Sequence, residues 1–317
     1  MPESGHPPKP NLSRTSLGTF EACPRKWALS YARDLFPKQF SNEIYLEYRL
    51  MDFGVLAGQL VDDVITDSIR EYLATKQWST GLYQKSREIA KEYFQLSKDW
   101  RDRKDIKKAV RQPIAEVFYG PSPTEAQWEE MFETVQLCLK NFEASEIGSY
   151  LESFALSTWR VQEKGSMSPW FVFDGIPIYA KYDFAIVEKD QALLFDWKTG
   201  NPERESAAIE QLHWYAAFAH YDWGIPYESI RIAPIWLRTG VSKPWEEQRV
   251  NLELIERLRT QWRERYDSLK SRIDAVIGEE QDIFEAFPIT ENRNSCQRCN
   301  YRICSQHPKK LETTQTL

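Results

Sequence analysis

The spacing of apolar residues changes character near residue 153. Before that point it follows a helix. Leu60, Val61, Val64, Ile65, Ile69 and Tyr72 fall on one arc of a long helix that begins near Phe53. Ser16 reads as the N-cap of an earlier helix with Leu17, Phe20, Trp27 and Tyr31 on its apolar face, interrupted or bent at Pro24. Further helical patterns cover 82–100, 104–119 and 124–148, and Gly120-Pro121-Ser122-Pro123 separates the last two.

After residue 153 the pattern turns to strands. Residues 154–162 and 170–173 read as strands, and Asp174-Gly175 as a hairpin turn. The next strand, 178–187, alternates. Ile178, Ala180, Tyr182, Phe184 and Ile186 share one face; Tyr179, Lys181, Asp183, Ala185 and Val187 share the other. A turn at 188–191 leads to strand 192–198, with Leu193, Phe195 and Trp197 on one face and Ala192, Leu194, Asp196 and Lys198 on the opposite one. Then come a loop at 200–204, a helix at 205–220, a strand at 230–237 and a helix at 252–277. This order predicts one α/β core wrapped by helices. The expected division is a tail at 1–11, a helical region at 12–150, the core with its cysteine cluster at 151–304, and a tail at 305–317.

Two charges of opposite sign on the face of an apolar strand change this picture. A charge inside a sheet is costly unless paired or used. Asp183 and Asp196 project from neighbouring strands, and Lys198 shares the face of Asp196. Two carboxylates and an ammonium suit phosphodiester hydrolysis. The carboxylates hold Mg²⁺ or Mn²⁺, which prefer oxygen ligands, and the lysine orients water or offsets charge growing on the phosphate.

The segments YAKYDFAIV, LLFDWKTG and EQLHWYA together resemble the RecB-type branch of the PD-(D/E)xK nucleases. The resemblance implies the α/β fold of that superfamily, with a mixed central sheet wrapped by an N-terminal helical region. It assigns the hairpin-strand carboxylate to Asp183, the D/E-x-K pair to Asp196 and Lys198, and the following Gln-xxx-Tyr helix to Gln211 and Tyr215. Gly58-Gln59-Leu60-Val61-Asp62 stands where the family carries Gly-xxx-His, so Asp62 takes the place of a metal-ligating histidine. Glu163 is a further, weaker candidate near the site. The implied activity is metal-dependent hydrolysis of DNA, as an exonuclease or flap-type enzyme on single-stranded ends. A competing reading is a DNA-binding or structural component of a repair or defence complex that cuts poorly. The chain has no Walker-type GxxxxGK[ST] motif, so a helicase would be a separate partner.

Cys296-x2-Cys299-x4-Cys304 supplies three thiols, and Cys23 could be the fourth. Spacing alone leaves zinc and an iron–sulfur cluster open. The resemblance implies the latter. A subset of RecB-type nucleases, including the AddB nuclease domain and CRISPR adaptation nucleases, holds a [4Fe-4S] cluster with one cysteine before the nuclease core and three after it. Cys138 falls among apolar helix positions and reads as core.

Composition narrows little further. The 317 residues carry a net charge of -6, which argues against an overall basic coat but allows a local basic channel. Residues 98–111, with seven basic and three acidic side chains, are one candidate for it; a solvated helix face is the other reading. The 12 Trp, 15 Tyr and 16 Phe fit a well-filled core, and some could stack on bases. No run approaches the roughly 18 apolar residues of a membrane span. The first ten residues lack a signal-peptide pattern, so a cytoplasmic location is the default expectation.

Overall fold

A computed structural model describes residues 9–38, 42–102, 111–162, 168–241, 243, 245–292, 294–297, 299–302 and 304. Glu163, most of the basic stretch within 98–111 and the expected tail at 305–317 lie outside the described residues. The helices are α1 (Arg14–Ala22), α2 (Pro24–Trp27), α3 (Asn42–Tyr48), α4 (Leu56–Thr75), α5 (Leu82–Arg101), α6 (Ala115–Tyr119), α7 (Glu125–Ala144), α8 (Ile147–Glu152), α9 (Glu205–Trp223), α10 (Leu252–Ile277), α11 (Ile283–Ala286) and α12 (Asn294–Gln297). The strands are β1 (Trp159–Val161), β2 (Trp170–Phe173), β3 (Ile176–Tyr179), β4 (Phe184–Glu188), β5 (Gln191–Lys198), β6 (Ile230–Trp236) and β7 (Gln248–Arg249). Among the described residues no helix is long and apolar enough to cross a membrane.

The chain forms two compact units. One comprises 1–52, 170–179 and 257–317; the other comprises 53–169 and 180–256.

The second unit is built on a five-stranded sheet of order β1-β4-β5-β6-β7. It is mixed. β5 runs antiparallel to β4 and parallel to β6, and α9 makes the crossover that a parallel pair requires. Trp197 and Lys198 are adjacent on β5 and so point to opposite faces. Trp197 meets Phe142 of α7 edge-on at 5.9 Å, and Lys198 meets Gln211 of α9. The sheet is thus a layer between these helices. Phe184 and Phe195 are fully buried within it. Leu60, Val64, Ile65 and Ile69 of α4 are buried as the helical arc predicts, and Cys138 of α7 is fully buried.

In the first unit β2 and β3 form a separate hairpin. Asp174 and Gly175 sit at φ +47° and +81°, the left-handed pair that a two-residue hairpin turn requires. The start of the chain adds to this hairpin. Leu12 donates to Pro177 O at 2.9 Å, and Tyr179 donates to Leu12 O at 2.7 Å.

Several boundaries differ from the sequence reading. The N-cap of α1 is Ser13, and Ser16 is its reciprocal partner. Ser16 Oγ accepts from Ser13 N at 2.8 Å, and Ser13 Oγ accepts from Ser16 N at 3.0 Å. The strand expected at 154–162 shrinks to Trp159–Val161, because Leu156–Thr158 forms a 3₁₀ turn. The helix expected at 124–148 ends at Ala144 and restarts at Ile147. The strand expected across 178–187 is two strands in two sheets, β3 and β4, and residues 180–183 link them.

Candidate active site

That break sets up the site. β4 pairs with β5 from Phe184↔Phe195 to Glu188↔Gln191, so Asp183 stands one step beyond the ladder, level with Asp196. The backbone N–H of Trp197 has no strand partner there and needs another acceptor. Asp183 Oδ2 supplies it, accepting at 2.8 Å. The carboxylate replaces a ladder bond, which fixes Asp183 beside Asp196 and leaves its other oxygen available.

Asp196 is 2% exposed. Lys198, two residues on and on the same face, makes an ion pair with its Oδ2. The Lys198 ammonium also donates to Gln211 Oε1 at 2.9 Å. Gln211 Nε2 in turn donates to the Tyr215 hydroxyl one helical turn along α9. An ammonium has only donors, so Lys198 selects the amide oxygen of Gln211 and Tyr215 takes the amide nitrogen. The relay Asp196–Lys198–Gln211–Tyr215 is therefore oriented at every link.

Asp62 comes from α4. Its carboxyl is raised above the usual range, first by burial and then by Asp63 and Asp196, with Lys181 and a hydrogen bond from Thr66 acting against this. The Asp183 carboxyl is pushed well up by burial, by Asp196 and by Asp62, against the Trp197 N–H and Lys198. Asp62, Asp183 and Asp196 thus lie within one another's field, with Lys181 acting on Asp62 and Lys198 on Asp183. Counting these side chains as ionised, three negative and two positive charges leave a net of −1. Among the described residues no three His, Cys, Asp or Glu groups converge on a ready-made metal cage. The donor set is nevertheless all carboxylate oxygen and short of positive charge, and that fits a hard divalent cation such as Mg²⁺ or Mn²⁺.

Gly58 explains how α4 reaches this place. A Cβ on Gly58 would lie 3.4 Å from Thr199 Oγ1, the residue that follows Lys198. Alanine fits as ordinary contact, while a longer side chain meets the end of β5. Gly58→Ala is expected to keep cleavage within a few-fold of the parent. It should gain up to about 1 kcal/mol from helix propensity. Gly58→Leu is expected to displace Asp62 and lower cleavage at least about tenfold, since a misplacement near 1 Å can cost up to about a hundredfold. Equal activity of the two variants in a metal-dependent cleavage assay would rule this packing role out.

Two features went unread in the sequence. Lys181 was placed on the Asp183 face without a role; it is exposed, two residues before Asp183, and its charge reaches Asp62. Asp63, the next residue on α4, is tied to its neighbours. It accepts from Gln59 at 3.0 Å and from the Tyr93 hydroxyl at 3.1 Å, and it pairs with Arg111. Arg111, the last residue of the expected basic stretch, also pairs with Glu92 at 3.2 Å, so it serves an internal ion-pair network.

The four cysteines of the expected cluster all belong to the first unit. All are free thiols; Cys23 and Cys296 are buried, Cys299 and Cys304 partly so. Cys23 caps α2 by accepting from Lys26 N. Burial raises the Cys299 thiol, and the charges of Cys304 and Cys23 add to that while Lys26 opposes it. The segments carrying these cysteines are already bound to one another. Arg25 donates to Phe287 O at 2.8 Å, Trp27 stacks on Phe287 at 5.4 Å, and the Ser30 and Tyr301 hydroxyls are 2.9 Å apart. The four thiols share one unit, and among the described residues they form no closed ligand shell.

A family model of the PD-(D/E)XK nuclease superfamily matches residues 11–304. No curated protein matches the chain.

Proposed function

The chain belongs to the PD-(D/E)XK nuclease superfamily, and from that premise we propose that it hydrolyses phosphodiester bonds in DNA. We assign it an exonuclease or flap-type action on single-stranded ends, with Mg²⁺ or Mn²⁺ at Asp62, Asp183 and Asp196. The observation that carries this reading is the pair Asp183 and Asp196 side by side at the end of β5, with Lys198 paired to Asp196. A bound divalent cation would supply Lewis acidity and lower the pKa of a coordinated water. It would also turn the net charge of −1 into +1, which accepts one phosphodiester anion.

The side chains do the remaining work. Lys198 donates one N–H to Gln211 and makes an ion pair with Asp196. An ammonium has three N–H bonds, so it can also donate to the attacking water or to the phosphate oxygen on which charge develops. Tyr215 orients Gln211, and Gln211 orients Lys198. Asp62 offers a carboxylate where relatives are expected to offer an imidazole, a harder ligand that suits the same cations. The competing reading, a DNA-binding component that cuts poorly, rests on that same substitution.

The deciding experiment incubates the purified chain with end-labelled single-stranded, duplex and flapped DNA in Mg²⁺ or Mn²⁺. The expected result is metal-dependent cutting that requires a single-stranded end. Binding without cutting in both metals would favour the competing reading.

In the same proposal Cys23, Cys296, Cys299 and Cys304 hold a [4Fe-4S] cluster that reinforces the join between the start and end of the chain. What supports it is four thiols in one unit on segments already bound to each other. Protein purified without oxygen is expected to be brown, with iron and acid-labile sulfide. Removing the metal should lower the Tm, because cluster binding is coupled to folding. A colourless protein with one zinc per chain would replace the cluster by zinc.

A further inference from the structure

The first unit contains a cleft that neither the carboxylate site nor the cysteines use. Its volume is about 450 Å³, within the usual range for ligand sites. Trp27, Tyr31, Tyr48 and Tyr179 line it, together with Lys9 and Arg33. The three tyrosines are half-buried rather than core. Their positions are set by other contacts. Trp27 is packed by Phe287 at 5.4 Å and by Tyr31 at 6.0 Å. Tyr179 is pinned by its backbone bond to Leu12 O at 2.7 Å. The Arg33 guanidinium lies 5.0 Å from the Tyr48 ring centre. Lys9 and Arg33 both pair with Asp34.

A set of aromatic rings with phenol hydroxyls beside an arginine and a lysine suits a flat ligand with polar edges and an attached anion. A base in a duplex hides its faces by stacking, whereas a base in a single strand offers them. We propose that this cleft docks a nucleotide of single-stranded nucleic acid: the tyrosine rings hold the base, and Arg33 and Lys9 meet the flanking phosphates. The cleft belongs to a different unit from the carboxylate site. The proposal rests on the nuclease reading and adds a binding site to it.

The test uses the full-length chain. A single strand containing 5-bromodeoxyuridine is bound in metal-free buffer and irradiated, and the cross-linked peptides are identified by mass spectrometry. Cross-links to Tyr31, Tyr48 or Tyr179 are expected. In parallel, Tyr48→Leu and Tyr179→Leu are each expected to weaken binding of a labelled oligodeoxythymidine about tenfold, the scale of losing one stacked base. KM for cleavage should rise accordingly, with kcat unchanged. Cross-links confined to other peptides, or folded variants that bind as tightly as the parent, would overturn the cleft while leaving the nuclease reading intact. A parent protein that neither binds nor cuts nucleic acid would overturn the nuclease reading itself. If a variant fails to fold, the cross-link map of the unmutated chain decides.

Discussion

Lys198→Ala is expected to lower metal-supported cleavage by about 10²–10³-fold, the usual loss when one donor to a charged transition state is removed. Activity and stability have to be separated in this variant. Asp196 is 2% exposed and pairs with the Lys198 ammonium. Removing one member of a buried ion pair costs about 3–5 kcal/mol. Lys198→Ala should therefore also melt earlier, and a fall in cutting could be blamed on unfolding. The double variant Asp196→Asn/Lys198→Met removes both charges and keeps the side-chain volumes. It should recover most of the lost stability and none of the activity. Gln211→Ala provides the graded comparison. It leaves the ammonium in place and removes only the acceptor that orients it at 2.9 Å, so a smaller fall, about tenfold, is expected. Tm from circular dichroism and rates on a single-stranded substrate check the set. Lys198→Ala cutting within tenfold of the parent would remove Lys198 from the mechanism.

The candidate site is legible where it interrupts a pattern. Asp196 and Lys198 stand out because they break an otherwise apolar strand, and their shared face follows from a period of two. Gln211 and Tyr215 follow from helical spacing, and Gln211 Nε2 does bond to the Tyr215 hydroxyl. The link at 180–183 could not be read, because apolar and polar residues go on alternating through it while the chain passes from one sheet to another. That same link places Asp183 beyond the β4 ladder, where its side chain takes the Trp197 N–H. The cap of α1 is ambiguous in the sequence for a different reason. Ser13 and Ser16 are three residues apart and each bonds the other's backbone, so composition alone does not say which is the cap. Lys181 and the tyrosines of the cleft carry no local signal at all. An exposed lysine or a half-buried tyrosine gains a reading only from what the fold sets beside it.

Asp183→Asn is expected to abolish cutting and, in metal-free buffer, to make the protein more stable. The Asp183 carboxyl is raised well above its ordinary value by burial and by the neighbouring Asp196 and Asp62. A carboxyl whose pKa rises on folding favours the fold when protonated. Its ionisation destabilises the fold progressively as pH climbs from the unfolded value through the folded one. Near neutral pH the parent therefore bears a penalty that asparagine avoids. The amide oxygen can still accept from Trp197 N–H, and the amide nitrogen can donate to a neighbouring carboxylate. A gain of about 1–2 kcal/mol is the scale of such changes at strained functional sites, or a few degrees in Tm. A divalent cation is expected to reverse the comparison. A cation that binds the folded parent should stabilise it by about 2.7 kcal/mol at a hundred times its Kd, and the variant, lacking one proposed ligand, is expected to gain less. Melting curves of both proteins with and without Mn²⁺ give four values of Tm. The expected order places the variant above the parent without metal and narrows or inverts that gap with it. A metal-free variant that melts below the parent would show that the three carboxylates are not in conflict. The countercharge argument for a cation at this site would then fall with it.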